Sequence, residues 1–222
     1  MILMKKYKMV IIDYGMGNLR SVQKALEVCG AKPVITDRPT DVERAEKIVL
    51  PGVGAFGQAM KELKKRKLIT VLKDKINGGT PYLGLCLGLQ LLFSFSEEGN
   101  VKGLGILQGR VKRFRVGLKV PHMGWNTISV RRRDCPLMEG VQSNDYFYFV
   151  HSFYAAPQEK EVVLSTTRYG IEFCSAIWRD NIFATQFHPE KSQQAGLRVV
   201  QNFIAFTPPL QQTKMQLGGA GC

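Results

Sequence analysis

Tyr82-Leu-Gly-Leu-Cys-Leu-Gly-Leu-Gln-Leu-Leu-Phe93 is the stretch on which the fold turns. Its first four residues make an apolar run suited to a strand buried on both faces, and residues 88–93 read as a helix. Between them sits Cys86, with Gly84 two residues before it and Gly88 two after. A strand that passes at once into a helix puts its elbow residue in a strained, exposed position at the carboxyl edge of a sheet. Small flanking residues are needed there because the backbone packs tightly. The elbow also lies at a helix N-terminus, where free N–H groups and the helix dipole favour a thiolate. A free thiol with a pKa of about 8.5 is scarcely ionised at pH 7, so this placement matters. The elbow alone leaves two readings open: a nucleophile, or a small buried hydrophobe.

Working outward, residues 9–13 are another short apolar run, followed by a turn at Tyr14-Gly-Met-Gly17. Leu19, Val22, Leu26 and Cys29 recur at helical spacing, and Gly30 is a plausible stop. Residues 33–36 and 47–50 predict two further strands, the second broken by Pro51-Gly-Val-Gly54. Residues 56–76 carry a helical pattern that ends at Asn77-Gly-Gly79. Alternation of this kind predicts right-handed βαβ units around a parallel sheet. Between residues 101 and 183 the texture changes to short β-branched and aromatic runs, such as residues 146–150 and 173–178, which favour antiparallel strands. A last helix is expected over residues 192–206. The expected fold is therefore α/β, a three-layer sandwich with a mostly parallel central sheet plus antiparallel strands from the second half. Residues 1–206 form one domain in this reading. Residues 207–222, with two prolines, three late glycines and no aromatic residue, form a flexible tail.

A thiol nucleophile needs a base. His188 lies in Thr185-Gln-Phe-His-Pro-Glu190, and Pro189 biases it toward extended backbone. Residues two apart in extended chain point the same way, so His188 and Glu190 can lie side by side, the carboxylate fixing the imidazole tautomer. The bland alternative is a satisfied loop histidine beside a solvated glutamate. The glycines of the 51–54 turn can aim backbone N–H groups inward, and in a parallel sheet that turn shares an edge with Cys86. An N–H from it, with that of Leu87, could receive an oxyanion, a donor typically worth ~3–4 kcal/mol. Taken alone, such a turn is usually only a turn.

The chain has 222 residues, 45% hydrophobic and 22% charged, which excludes disorder and gives ample length for a core. No apolar run reaches the roughly 18 residues of a membrane span, and the start lacks a signal-peptide core, so a cytoplasmic location is expected. Five scattered cysteines without a CxxC pair fit neither a disulfide framework nor a zinc site. The formal charge is +13. The basic residues fall in separate segments: residues 61–67, Arg110, Lys112, Arg113, Arg115 and Lys119 in an edge-strand pattern, and the loop Arg131-Arg-Arg133. With no aromatic stacking platform among them, solvated surface is favoured over nucleic-acid binding. Some of that charge could meet an acidic patch on a partner. His122 and Trp125, bracketed by Pro121 and Gly124, read as loop, with Trp125 packed in the core as the alternative. Tyr146 and Tyr148 read by default as strand packing.

Taken together, Pro51-Gly-Val-Gly54, Gly84-Leu-Cys-Leu-Gly-Leu-Gln90 and Phe187-His-Pro-Glu190, in that order, resemble the triad (class I) glutamine amidotransferases, over nearly all of residues 9–206. Val120-Pro-His-Met-Gly-Trp-Asn126, Tyr146-Phe-Tyr-Phe-Val-His-Ser152 and Ala184-Thr-Gln-Phe-His-Pro-Glu-Lys-Ser192 are similar to the glutaminase subunits of imidazole glycerol phosphate synthases within that class. The resemblance implies that Cys86 attacks the glutamine amide, that His188 protonates the leaving ammonia and later activates water, and that Glu190 orients His188. It implies an oxyanion hole from Gly52, Val53 and Leu87, completed on loop rearrangement, and glutamine contacts at Gln90, Glu98, His151, Ser152 and Phe153. It further implies ammonia transfer to a (β/α)8-barrel cyclase subunit in a heterodimer that makes imidazole glycerol phosphate and AICAR in histidine biosynthesis. Met123, Trp125, Asn126, Tyr148 and Lys191 would lie at that interface. No cofactor or metal is called for, since amide hydrolysis needs only a nucleophile, a proton donor and an oxyanion site. No phosphate-binding glycine loop is present.

Overall fold

The computed structural model describes residues 8–208. The expected tail, Cys222 included, thus lies outside the described residues apart from Thr207 and Pro208. The apolar runs form β1 (Val10–Ile12), β2 (Val34–Thr36), β3 (Ile48–Gly52) and β4 (Tyr82–Cys86), joined by β14 (Ile182–Thr185) from the far end of the chain. They lie side by side in the order β2-β1-β3-β4-β14, all parallel. Every residue of β1, β3, β4 and β14 is buried, as strands covered on both faces must be.

Side-chain alternation divides the core in two. Val10, Ile12, Ile48, Leu50 and Tyr82 pack with Phe56 and Leu63 of α3 (Phe56–Lys65) and with Leu68 and Leu72 of α4 (Leu68–Asn77). Ile11, Val49, Leu83 and Leu85 face the other way, toward Val22 and Leu26 of α1 (Leu19–Val28) and Val199 and Phe203 of α6 (Gln193–Ala205). The result is the expected three layers. The Asn18 side chain caps α1 by accepting from the Ser21 N–H at 3.4 Å. Lys47, reaching across from the start of β3, donates to the Phe203 carbonyl at 3.1 Å and to the Ile204 carbonyl, filling the C-terminal end of α6.

Beyond β14 the sheet continues antiparallel through β13 (Ile171–Arg179), β11 (Phe153–Pro157) and β7 (Leu107–Arg113). It ends with β5 (Phe93–Ser96), parallel to β7, and β6 (Val101–Lys102). β12 (Val163–Tyr169) pairs with β13 and with β9 (Ser129–Val130). A separate antiparallel pair, β8 (His122–Thr127) and β10 (Tyr146–His151), stands over the site.

Several elements differ from expectation. The 51–54 turn does not break β3 at Pro51: Pro51 pairs with Leu85 and Gly52 with Cys86, while β1 stops pairing at Val49. On the β1 side Pro51 is therefore at an edge, where its missing N–H costs no ladder bond. The helix expected over residues 56–76 is two helices, because Lys67 takes a left-handed φ of 57°. A short helix, α2 (Pro39–Glu43), was invisible to periodicity; Asp41 anchors it, accepting from Thr36 Oγ1 at 2.7 Å and Arg38 Nε at 3.0 Å. β7 is not an edge strand, since β11 and β5 flank it; its charge alternation reflects one wetted face. His122 and Trp125 lie in a strand, not a loop. Trp125 is 47% exposed, not core.

Candidate active site

β4 delivers Cys86 to the carboxyl edge of the sheet with φ 54° and ψ −102°, a strained backbone for a residue with a Cβ. The flanking glycines explain how the chain can bend so sharply. A Cβ at Gly84 would lie 2.6 Å from the Gly88 carbonyl oxygen, and one at Gly88 only 1.9 Å from that of Leu50. The helix expected over residues 88–93 is a single turn, α5 (Leu87–Gln90), because Phe93 is already pairing with Leu107. So short a helix contributes little dipole, and the charge partner of Cys86 must come from elsewhere.

That partner is His188, at the end of the segment after β14. Its backbone is held on both sides: its N–H donates to the Tyr148 carbonyl at 2.9 Å, and its carbonyl accepts from Ser192 Oγ at 2.6 Å. Ser192 Oγ in turn accepts from the Tyr148 N–H at 3.0 Å, so β10 and the His188 turn are stitched together. Pro189 opens a 3-10 turn, Pro189–Lys191, and Glu190 therefore reaches back across a turn rather than along extended chain. His188 Nδ1 lies 2.8 Å from Glu190 Oε1, with the side chains only 4% and 2% exposed. His188 Nε2 and Glu190 Oε2 are buried without a hydrogen-bond partner. Burial disfavours charge on the ring. The neighbouring Cys86 and then the Glu190 carboxylate outweigh it, holding the His188 pKa up at about 10. With Nδ1 committed to Glu190, Nε2 is the nitrogen left to face Cys86.

A cavity of about 350 Å³ opens beside Cys86. Val53, Gly54, Leu87, Gln90, Glu98, His151, Ser152 and Phe153 line it, together with Pro121 and Val150. Gly52 sits opposite Cys86 in register, and a Cβ there would lie 2.8 Å from Leu87 Cβ, so the two elements expected to supply oxyanion donors touch. Gln90 Nε2 donates to the Phe153 carbonyl and to Gln186 Oε1, each at 3.0 Å. Glu98 also braces the fold: Oε2 accepts from the Phe56 N–H at 2.8 Å, serving the start of α3, where Ala55 offers no side-chain cap. Both nitrogens of the His151 ring are engaged, Nδ1 with the Phe153 carbonyl at 2.8 Å and Nε2 with His122 Nδ1 at 2.9 Å. A larger groove of about 760 Å³ between Ser94, Lys102, Arg110 and Lys112 lies elsewhere and is lined by no thiol and no histidine, so chemistry rather than size selects the site.

Two further residues join the site. Gln186 Nε2 donates to Cys86 Sγ at 3.5 Å. Its signal was its place two before His188, on the same face of the segment. Tyr14, in the turn that follows β1, is fully buried against Gly52. Of the expected interface residues, Met123 is 62% exposed, Trp125 meets Tyr148 edge-on at 6.0 Å, and Lys191 lies 5.7 Å over the Tyr148 ring. Asn126 instead turns inward, with Nδ2 3.1 Å from His122 Nε2.

Among the described residues, no group of three or more His, Cys, Asp or Glu side chains is placed to hold a metal, and no helix is long and apolar enough to cross a membrane. The family model "Glutamine amidotransferase class-I" matches residues 10–206. The chain is 52% identical over 202 residues to "Imidazole glycerol phosphate synthase subunit HisH" of Syntrophotalea carbinolica, an alignment covering 87% of this chain and 98% of that one. It is 53% identical over 194 residues to the protein of the same name from Moorella thermoacetica, covering 87% and 92%. Among solved structures, PurLQS from Thermotoga maritima superposes with a TM-score of 0.72 at 20% identity, over 90% of this chain and 98% of that one, a likeness of fold.

Proposed function

From its membership of the class-I glutamine amidotransferases, to which the chain belongs, we propose that it is the glutaminase subunit of an imidazole glycerol phosphate synthase, working in the cytoplasm as a heterodimer with a (β/α)8-barrel cyclase. The observation that carries this reading is His188: Nδ1 is bound to Glu190 at 2.8 Å, and Nε2 is buried, unpartnered and coupled to Cys86. This is the arrangement that a thiol nucleophile, its base and an orienting carboxylate require.

The steps follow from that arrangement. The Cys86 thiolate adds to the side-chain carbonyl carbon of glutamine, and the oxygen takes up the negative charge against backbone N–H groups of Val53 and Leu87, with Gly52 shaping the loop. His188, protonated through the neutral range by its pKa of about 10, gives its proton to the amide nitrogen, which leaves as ammonia. The remaining thioester takes up a water whose proton passes to His188, so glutamate departs and the thiolate is restored. Gln90, Glu98, His151, Ser152 and Phe153 hold the substrate in the cavity. Ammonia passes to the cyclase across the face that bears Met123, Trp125, Tyr148 and Lys191, with Asn126 turned inward behind it. That face adjoins the site, because Tyr148 bonds the His188 backbone.

The test is Cys86→Ala in the complex. Glutamate production from glutamine should fall at least about a thousand-fold, while synthesis driven by added ammonia is retained. Continued glutamate release by the variant would place the nucleophile elsewhere, and failure to capture the barrel cyclase would point to a different acceptor synthase.

A further inference from the structure

The hydroxyl of Tyr14 is buried, 0% exposed for the residue as a whole, and has no hydrogen-bond partner. The neighbouring Tyr82 shows the ordinary solution for such a group, donating to the Gly88 carbonyl at 2.8 Å. Tyr14 does not follow it. Its oxygen sits directly over Gly52: a Cβ built on that glycine would lie 2.1 Å from it, and 2.8 Å from Leu87 Cβ. Gly52 pairs with Cys86 and leads into Val53 and Gly54 at the cavity wall. Gly54 has a φ of 92°, and Val53 is 40% exposed, so this short stretch is neither packed over nor confined to ordinary backbone angles. Burial first, and then the Cys86 charge, push the phenol pKa well up, so the group remains a protonated donor at any working pH. A buried donor without an acceptor is disfavoured, and such groups persist where another state supplies the missing partner. The backbone lying against it is that of Gly52, which leads into Val53 and Gly54, and the carbonyls of this stretch are the acceptors that a shift of the loop would bring to the hydroxyl.

We propose that Tyr14 is a positioning residue for the oxyanion loop, its hydroxyl bonding a backbone carbonyl of residues 52–54 in the glutamine-bound state and so fixing the N–H group of Val53 toward the developing oxyanion. This assignment rests on the glutaminase reading of the site. Tyr14 is not among the residues that line the cavity; it acts through the loop. In the resting state its hydroxyl is idle, and the lack of a side chain at Gly52 is what leaves room for it.

Tyr14→Phe removes the oxygen alone. Measured on the complex with the barrel cyclase, kcat for glutamine hydrolysis should fall about 10-fold or more, with KM within two-fold. The melting temperature should hold or rise, because an unpaired buried hydroxyl has gone. The rate at which iodoacetamide alkylates Cys86 should not change, since that reaction needs no oxyanion donor. A residue with a merely structural role would lower stability and kcat together. Unchanged kcat overturns the proposal, and so does a lower melting temperature or failure to fold, either of which shows that the hydroxyl already has a partner at rest. Cys86→Ala run alongside separates the two levels. If it still hydrolyses glutamine, the glutaminase reading falls; if it is inactive while Tyr14→Phe keeps full kcat, only the role of Tyr14 falls.

Discussion

His122 and His151 face one another behind the cavity, and their hydrogen bonds settle their protonation. His151 Nδ1 must donate to the Phe153 carbonyl at 2.8 Å, so its Nε2 accepts from His122 Nδ1 at 2.9 Å, and His122 Nε2 accepts from Asn126 Nδ2 at 3.1 Å. Every position is filled by neutral rings, and an added proton would have no acceptor. Burial, among Phe114, Phe149 and Phe173, pushes His122 down to about 4 and His151 down to about 3. Above the ordinary histidine pKa of about 6.5, both states of the chain are neutral here and this contribution to stability is complete. As the pH falls further, the unfolded chain takes up protons that the folded one refuses, and stability drains away toward pH 4. The melting temperature is expected to drop by several degrees between pH 7 and 4.5. The slope should shrink in His122→Asn, whose amide keeps a donor toward His151 without a titratable ring. Equal slopes for the two proteins would sink this account. At the same scale, Glu190 and His188 were legible as a pair because they are two residues apart, whereas the engagement of both His151 nitrogens was not, since its partner His122 is 29 residues away.

Between α3 and α4 a single residue makes the break. Lys67 is exposed and has a φ of 57°, a conformation that a side chain disfavours by about 1 kcal/mol and that glycine adopts freely. Lys67→Gly is expected to leave urea-unfolding stability unchanged or raise it by roughly 0.5–1 kcal/mol. In a continuous helix the same change would cost about 1 kcal/mol, so a loss of that size would restore the unbroken reading. The break was hidden because Leu68, Leu72 and Ile76 continue an apolar face from Leu63, and a periodicity that bridges a one-residue kink looks unbroken. The shortness of α5 is hidden in the sequence for a related reason. Leu91, Leu92 and Phe93 are apolar in any secondary structure, and the choice of strand at Phe93 is made by Leu107 alongside it.

For the molecule as a whole, the formal charge is +13, and several of the basic side chains are engaged locally. Arg131 pairs with Glu172 at 2.7 Å, while Arg132 pairs with Asp134 at 3.0 Å and stacks 4.0 Å over Trp178. Arg115 reaches Glu97 at 3.4 Å, and Arg110 lies 5.5 Å over Phe95. These pairs are mostly exposed and contribute little to stability. The surface that stands out is apolar: Met123, Trp125 and Tyr146 on the β8–β10 pair are 62%, 47% and 61% exposed. Such aromatic anchors dominate association energies when a partner covers them. If the proposed barrel cyclase docks here, Trp125→Ala should weaken its capture by about 30-fold, corresponding to roughly 2 kcal/mol, and shift the melting temperature of the lone chain little. Calorimetric titration at two salt concentrations would show it. An unchanged Kd would move the interface elsewhere.

Local chemistry in the chain was sufficient for the βαβ alternation, the glycine-flanked elbow at Cys86 and the His-x-Glu pair, because each depends on residues within a few positions of one another. The meeting of Cys86 with His188, 102 residues later, needed β14 to insert beside β4 in parallel, with Thr185 level with Leu85. The donation from Gln186 to Cys86, the closed hydrogen-bond chain from Asn126 to Phe153, and the orphan hydroxyl of Tyr14 over Gly52 were likewise decided only in three dimensions. Such contacts depend on which strands lie next to each other and in what register, and strand adjacency is set by burial across the whole sheet rather than by any local run of residues.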